Sequence, residues 1–252
     1  MANRQLVGLL RYPVKGLSPE RLEAVMLSPG EVMPLDRAYA FENGPSGFDP
    51  DQPRHISKMK FLCLAAMPDL ARLRSKLDED GVTLTLEDDT EKARFDLSSE
   101  NGAQDAAAFL ARHAGEALRG PVRLCKAPGF SFSDTAKKVV SLINLASLRK
   151  LEAATGKPID PIRFRGNIVF EGESAFEEHG WTDREIRIGP VLLKGLEPIM
   201  RCAATEVNLE TATRDIAVPR ILHGLTGAPD CGLYATVVEG GRIAVGDALT
   251  VI

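Results

Sequence analysis

Histidine is scarce, with four residues in 252, at positions 55, 113, 179 and 223. A His-rich metal centre is therefore not expected, and each histidine reads as a surface or capping residue. The four cysteines, Cys63, Cys125, Cys202 and Cys231, lie far apart and form no C-x-x-C pair. That spacing argues against structural zinc and against a plant-type iron–sulfur cluster. It fits free thiols in a reducing compartment, so a cytoplasmic location is expected. No apolar run approaches the roughly 18–20 residues of a membrane helix. Near the start only Leu6–Leu10 is apolar, and no small-residue cleavage site follows it, so no signal peptide is expected. G-x-G-x-x-G, the P-loop, H-E-x-x-H and G-x-S-x-G are all missing, and Gly44-Pro45-Ser46-Gly47 does not fit a nucleophile elbow. Neither charge dominates: 31 Lys and Arg stand against 35 Asp and Glu, for a net charge of -4. Neither nucleic acid nor a membrane is expected as a partner.

What is present reads as a folded, mainly β chain. Hydrophobic residues make up 44% and charged residues 26%, which excludes disorder over most of the length. Gln5–Arg11, Ala24–Leu27 and Arg37–Phe41 are predicted strands separated by turn residues. Glu42 to Pro53 is rich in Gly, Pro and Asp and reads as a surface loop long enough to be functional or mobile. Leu70, Leu73 and Leu77 recur at i, i+3, i+7 and predict a helix over Pro68 to Asp80. Val82–Glu87 alternates as a strand, Gln104–Ala117 is a second predicted helix, and Val122–Lys126 is a short strand. Ala127-Pro128-Gly129 is a candidate boundary, dividing the chain into 1–126 and 127–252. Beyond it a strand at Val139–Ile143 leads into a helix at Leu145–Thr155. The remaining predicted strands are Ile162–Glu171, Glu185–Ile188, Val191–Leu196 and Ala203–Val207, and Pro219–Gly224 is a helical turn or two. Leu233–Val238 and Arg242–Val251 flank Glu239-Gly240-Gly241 as a β-hairpin. Many short strands with few helices predict a barrel-containing α+β architecture.

Some side chains stand out for their chemistry. Cys63 lies in the apolar run Phe61–Ala66 and reads as core, whereas Cys231 sits at a turn beside Asp230. Cys202 follows Arg201 at the end of a strand-like run, a neighbour that suits a sulfur attacking electrophiles or binding a soft metal. The alternative is a buried structural thiol. Lys15 follows Tyr12-Pro13-Val14, at the end of the first predicted strand. Arg163, Arg165 and Asn167 alternate on another and would share a face, which suits phosphate and heterocycle edges or is simply a solvated strand face.

These pieces resemble the MOSC proteins, named for the C-terminal domain of molybdenum-cofactor sulfurases, and the mitochondrial amidoxime-reducing components. Tyr12-Pro13-Val14-Lys15-Gly16 resembles their Y-P-V-K-S/G start, and Asp36-Arg37 with Ala38–Phe41 resembles a D-R strand. Ser133-Asp134-Thr135 before Val139–Leu148 resembles F-x-D-x…L-I-S-x-x-S-L, and Arg163–Val169 resembles R-F-R-P-N-I-V. Ala175–Trp181 resembles A-F-x-E-x-x-W, and Pro198–Cys202 resembles P-C-x-R-C. Gly232–Ala235 and Gly246-Asp247 resemble the closing F-G-x-Y-A and V-G-D. The departures are Ile199 for the first Cys of P-C-x-R-C, Gly166 for the Pro of R-F-R-P-N, and Asn208–Ala212 for D-x-E-T-G.

The resemblance implies an N-terminal β-barrel-like domain over 1–126 and a C-terminal MOSC β-barrel over 127–252, with a cleft between them. It implies that the cleft holds the molybdenum cofactor, molybdopterin, with Cys202 as catalytic residue and metal ligand. Lys15, Arg37, Asp134, Thr135, Arg163, Arg165, Asn167 and Arg201 are the expected cofactor-binding residues. The implied activity is an oxidoreductase that reduces N-hydroxylated or other N–O compounds by oxygen-atom transfer, with a small-molecule substrate and a separate flavin or iron–sulfur electron donor. Pyridoxal phosphate is not expected. The alternative is a non-catalytic carrier of the cofactor or of sulfur, with a persulfide on Cys202 as its working form.

Overall fold

The computed structural model describes residues 4–252. Chain order gives β1 (Arg4–Arg11), β2 (Glu20–Leu22), β3 (Ala24–Leu27) and β4 (Ala40–Phe41). Then come β5 (Arg74–Leu77), β6 (Thr83–Glu87), β7 (Lys92–Asp96), α1 (Glu100–Ala114) and β8 (Leu124–Cys125). The second half runs β9 (Val140–Asn144), α2 (Leu145–Thr155), β10 (Ile168–Glu171), β11 (Glu185–Ile188) and β12 (Val191–Met200). It ends with α3 (Val218–Thr226), β13 (Asp230–Glu239), β14 (Gly241–Ala244) and β15 (Ala248–Val251).

Seven strands close into a barrel in the order β10-β9-β13-β12-β11-β15-β1, with β1 returning to β10 and β2 attached to β1. The architecture is mainly β, as the sequence predicts, with three α-helices among the described residues. The β9–β10 pair is parallel and its crossover carries α2; the other barrel pairs are antiparallel. β1 carries a bulge between Leu6 and Gly8, so Leu6 and Leu9 both reach the barrel core while Val7 is exposed. Closure therefore joins the first strand of the chain to strands that come after residue 140.

Outside the barrel, β5-β6-β7 form a meander packed on α1, β4 pairs with β8, and β3 pairs with β14. Ser99 caps α1 by accepting from the Gly102 N–H. Asn144 caps α2 at Ala146, and Gly156 ends it in the left-handed region. Glu178 is fully buried and accepts from Asn144 Nδ2, Ser147 Oγ and the Gly232 N–H, which ties α2 to β13.

Several expectations fail, each for a physical reason. Pro68 to Asp80 is not one helix: a 3₁₀ turn at Pro68–Arg72 passes into β5. Leu73 and Leu77 also match a period of two, and strand pairing with β6 takes that alternative. Ile162–Glu171 is a 3₁₀ turn at Pro161–Phe164 followed by β10, because Asp160 caps the turn and Pro161 starts it. Arg163, Arg165 and Asn167 therefore do not share a strand face. Ala203–Glu206 is a 3₁₀ turn rather than a strand. Of the predicted Arg37–Phe41 strand only β4 forms, since Arg37 has φ 51. The C-terminal hairpin does not form: β14 leaves for β3, and β15 lies between β1 and β11. Gly240 and Gly241 serve close crossings instead of a hairpin turn. A Cβ at Gly240 would lie 2.6 Å from the Leu27 carbonyl oxygen, and one at Gly241 2.7 Å from Pro190.

Candidate functional site

Between the barrel and the N-terminal layer lies a cleft of about 560 Å³. All nine residues singled out in the sequence line it: Lys15, Arg37, Asp134, Thr135, Arg163, Arg165, Asn167, Arg201 and Cys202. A larger cavity of about 790 Å³ lies across the Gly16–Arg165 wall, but Leu17, Leu70, Leu73, Ile159 and Ile162 line it and no cysteine does. Convergent polar groups and a thiol mark the smaller cleft as the chemical one.

Lys15 lies four residues beyond the end of β1, after Tyr12-Pro13-Val14. Its backbone is pinned by a hydrogen bond to the Tyr39 carbonyl, and Gly16 takes φ 84 in a spot where a Cβ would come within 2.7 Å of the Leu62 carbonyl oxygen. Lys15 Nζ donates to Asp134 Oδ1 at 2.6 Å and to the Phe132 carbonyl at 2.8 Å. Burial lowers the Lys15 pKa, and Asp134 opposes that shift only in part. Burial pushes the Asp134 carboxyl up, but Lys15 and Lys58 outweigh it and hold it well below the usual carboxylate range.

Lys58 is a cleft residue that the sequence does not single out. Its Nζ lies 3.1 Å from Cys202 Sγ and 2.9 Å from Asp134 Oδ2. Burial pulls the pKa of this ammonium down, but Asp134 and Cys202 outweigh it and raise it above the ordinary lysine value. Arg201, the cation next to Cys202 in sequence, turns away: its guanidinium donates to the carbonyls of Cys231 and Phe164. Cys202 is partly exposed, whereas Cys63, Cys125 and Cys231 are buried. Cys63 nevertheless lines the cleft wall, where burial pushes its thiol up. Cys231 lies inside β13 rather than at an exposed turn, and burial pushes its thiol up to about 12.

A second cationic group surrounds Tyr12. The guanidinium carbons of Arg165 and Arg37 lie 4.3 and 4.6 Å from its ring centroid. Asp36 accepts from the Tyr12 N–H and pairs with Arg37, whose Nη2 donates to the Arg165 carbonyl. Arg165 Nη1 donates to the Leu17 carbonyl, while its buried Nη2 has no partner among the described residues. Burial pulls Arg165 down to about 10, and Arg37 pulls the same way.

The other predicted residues are already engaged. Arg163 pairs with Asp215 at 2.8 Å and donates to the Thr205 carbonyl. The Asn167 amide is spent on Ser141 and the Leu10 carbonyl. Thr135 caps its own loop, accepting from the Lys137 N–H. Among the described residues no group of three or more His, Cys, Asp or Glu side chains is placed to hold a metal ion. A metal at Cys202 would have to bring most of its own ligands.

Comparison with known proteins matches the MOSC domain over residues 112–250 and the MOSC N-terminal beta barrel domain over residues 3–120. The chain belongs to the MOSC family. The rat mitochondrial amidoxime reducing component 2 is 32% identical over 120 residues, which is 43% of this chain and 35% of the rat protein. The human protein of that name is 34% identical over 116 residues, 40% of this chain and 33% of the human one. This MOSC chain thus spans about a third of the length of these curated relatives. The YUAD protein from Bacillus subtilis aligns over 100% of this chain and 98% of its own, at 11% identity and a TM-score of 0.46. YiiM from Geobacillus stearothermophilus aligns over 45% of this chain and 53% of its own, at 19% identity and a TM-score of 0.36. No described helix is long and apolar enough to cross a membrane.

Proposed function

We propose that the cleft binds the molybdenum cofactor and that the loaded protein is an oxidoreductase acting on N-hydroxylated or related N–O compounds. The carrying observation is the donor set: one partly exposed thiol, Cys202, in a cleft walled by Lys15, Arg37, Lys58 and Arg165. Among the described residues a bare metal ion finds no protein cage. A metal held by the dithiolene of molybdopterin carries its own soft ligands and needs only one thiolate from the protein. Its phosphate needs cations, and the unpartnered Nη2 of Arg165 is a buried donor short of an acceptor. The residues present fit the group.

When bound, the cofactor supplies two-electron oxygen-atom transfer. Cys202 would be the protein ligand to the metal. Lys15, Arg37 and Arg165 would hold the phosphate, with Asp134 and Thr135 at the pterin edge. Arg163, Asn167 and Arg201, whose polar heads are bonded to protein, would position the wall rather than touch the cofactor. Likeness to the amidoxime reducing components supports the substrate class. A separate flavin or iron–sulfur protein would supply electrons, since this sequence has no dinucleotide fingerprint and no cluster spacing.

The test is elemental molybdenum and pterin fluorescence on protein from a cofactor-competent host, followed by turnover of an N-hydroxylated base with reduced viologen as donor. The expected result is one molybdenum per chain and turnover, with both lost in Cys202→Ser. Protein free of molybdenum and pterin from such a host would overturn the reading. Full loading without turnover by any donor would favour the carrier.

A further inference from the structure

The charge around Cys202 is unevenly compensated. Asp134 serves two ammonium groups, Lys15 through Oδ1 and Lys58 through Oδ2, so the trio keeps one net positive charge. Lys15 faces inward, with a side chain 7% exposed and a second bond to the Phe132 carbonyl. The Lys58 side chain is 28% exposed, so the excess charge meets solvent there. An ammonium has three N–H groups, and Lys58 spends one on Asp134 and one on Cys202, leaving one free. Of the other charges on the wall, Arg165 keeps its buried Nη2 free, and most of the rest are committed. Glu197 pairs with Lys137 at 3.1 Å, Asp36 pairs with Arg37, and Arg201 is bonded to carbonyls. Asp230 is the one acid on this wall without a cation partner among the described residues.

We propose that Lys58 is a specificity-determining residue that selects reactants carrying a negative charge and holds that charge beside Cys202. For the loaded enzyme this rests on the function proposed above, and it makes the preferred N–O compound one that also bears a carboxylate or a comparable anion. Nothing in the local sequence marks the role, because Lys58 meets Asp134 and Cys202 only through the fold.

The first test needs no cofactor. The full chain, made in a host lacking the cofactor, is alkylated at one pH with iodoacetate, which is anionic, and with iodoacetamide, which is neutral. Labelling of the Cys202 peptide is timed by mass spectrometry. At a fixed pH both reagents meet the same sulfur, so the ratio of the two rates reads the local charge. The iodoacetate-to-iodoacetamide ratio should fall about fivefold in Lys58→Met, the factor one unit charge gives at contact distance in a water-like medium. Lys58→Arg should restore it, and Asp230→Asn should raise it. A ratio that is the same in the wild type and in folded Lys58→Met overturns the proposal, as does a Cys202 that neither reagent labels. The second test uses the loaded enzyme and compares kcat/KM for nicotinic acid N-oxide and nicotinamide N-oxide, which share the N–O group and differ in charge. The acid should be preferred, and Lys58→Met should erase that preference. Turnover of neither compound would count against the proposed function and leave the labelling ratio to decide on Lys58.

Discussion

Tyr12 shows how one side chain can matter through its face and not its polar tip. Its ring carries two guanidinium groups, while its hydroxyl is buried with no partner among the described residues. Burial pushes that phenol up to about 12, against the pull of Arg165 and Arg37. A buried unpaired hydroxyl costs stability, whereas the ring fills core space beside Leu10, Ile143 and Phe164. Tyr12→Phe should therefore be at least as stable as the parent in urea unfolding, with a gain on the order of 1 kcal/mol. Tyr12→Ala should lose about 3–5 kcal/mol and loosen both arginines. A loss of more than 1 kcal/mol or so in Tyr12→Phe would mean that the hydroxyl does have a partner. Tyr12, Lys15 and Arg37 were legible in the sequence because they sit in short motifs. Lys58 was not, since its partners lie 76 and 144 residues away and only folding brings them together.

The segment from Asp160 to Glu171 shows what decides an element. Alternating Arg163, Arg165 and Asn167 read as one strand, yet the Asp160 cap, Pro161 and a left-handed Arg165 at φ 53 build a turn before β10 begins. By contrast, α2 was legible to the residue, because its Asn144 cap and Gly156 exit are local signals. At the joint stands Gly166, where the resembled motif has proline. A Cβ there would lie 2.2 Å from Ile143 Cγ1 and 2.9 Å from its Cδ1. The neighbour on β9 thus occupies the space a side chain would need, and the glycine and the isoleucine form a pair. Gly166→Ala should cost about 1–3 kcal/mol by overpacking. Combined with Ile143→Ala, it should cost at least ~1 kcal/mol less than the sum of the two single changes. Strict additivity in that double-mutant cycle would show that the joint has slack that the Cβ contact does not reveal.

On the scale of the whole chain, the sequence suggests a division near residue 126, and the matched family segments overlap at 112–120. We retain 1–126 and 127–252 as a proposal for the two segments. The cores nevertheless cross that line. Leu6 and Leu9 lie in the barrel core, Leu10 and Tyr12 in the cluster under α2 and α3, and Val14 and Leu17 in the cluster under α1. One run of twelve residues thus feeds three cores. In the other direction Val207, with Ala204 and Leu209, packs back into the α1 cluster, and Lys15 is bonded to Asp134. Such threading was not legible in the sequence, because the apolar run Leu6–Leu10 marks buried positions without saying what covers them. Chains longer than about 150 residues often unfold in stages, so shared cores make a specific claim against that tendency. Trp181, the single tryptophan, stands in the barrel core against Phe170 and reports on it by fluorescence. Cys125, buried with Phe48, Phe61 and Phe132, reports on the N-terminal side by its reactivity in timed thiol labelling. In urea the two probes should give one midpoint and one slope, because β1 is a stave of the barrel and the residues that follow it directly, Val14 and Leu17, are packed in the α1 cluster. A Trp181 transition clearly separated from Cys125 exposure would mean that the halves unfold independently and that β1 is a detachable stave.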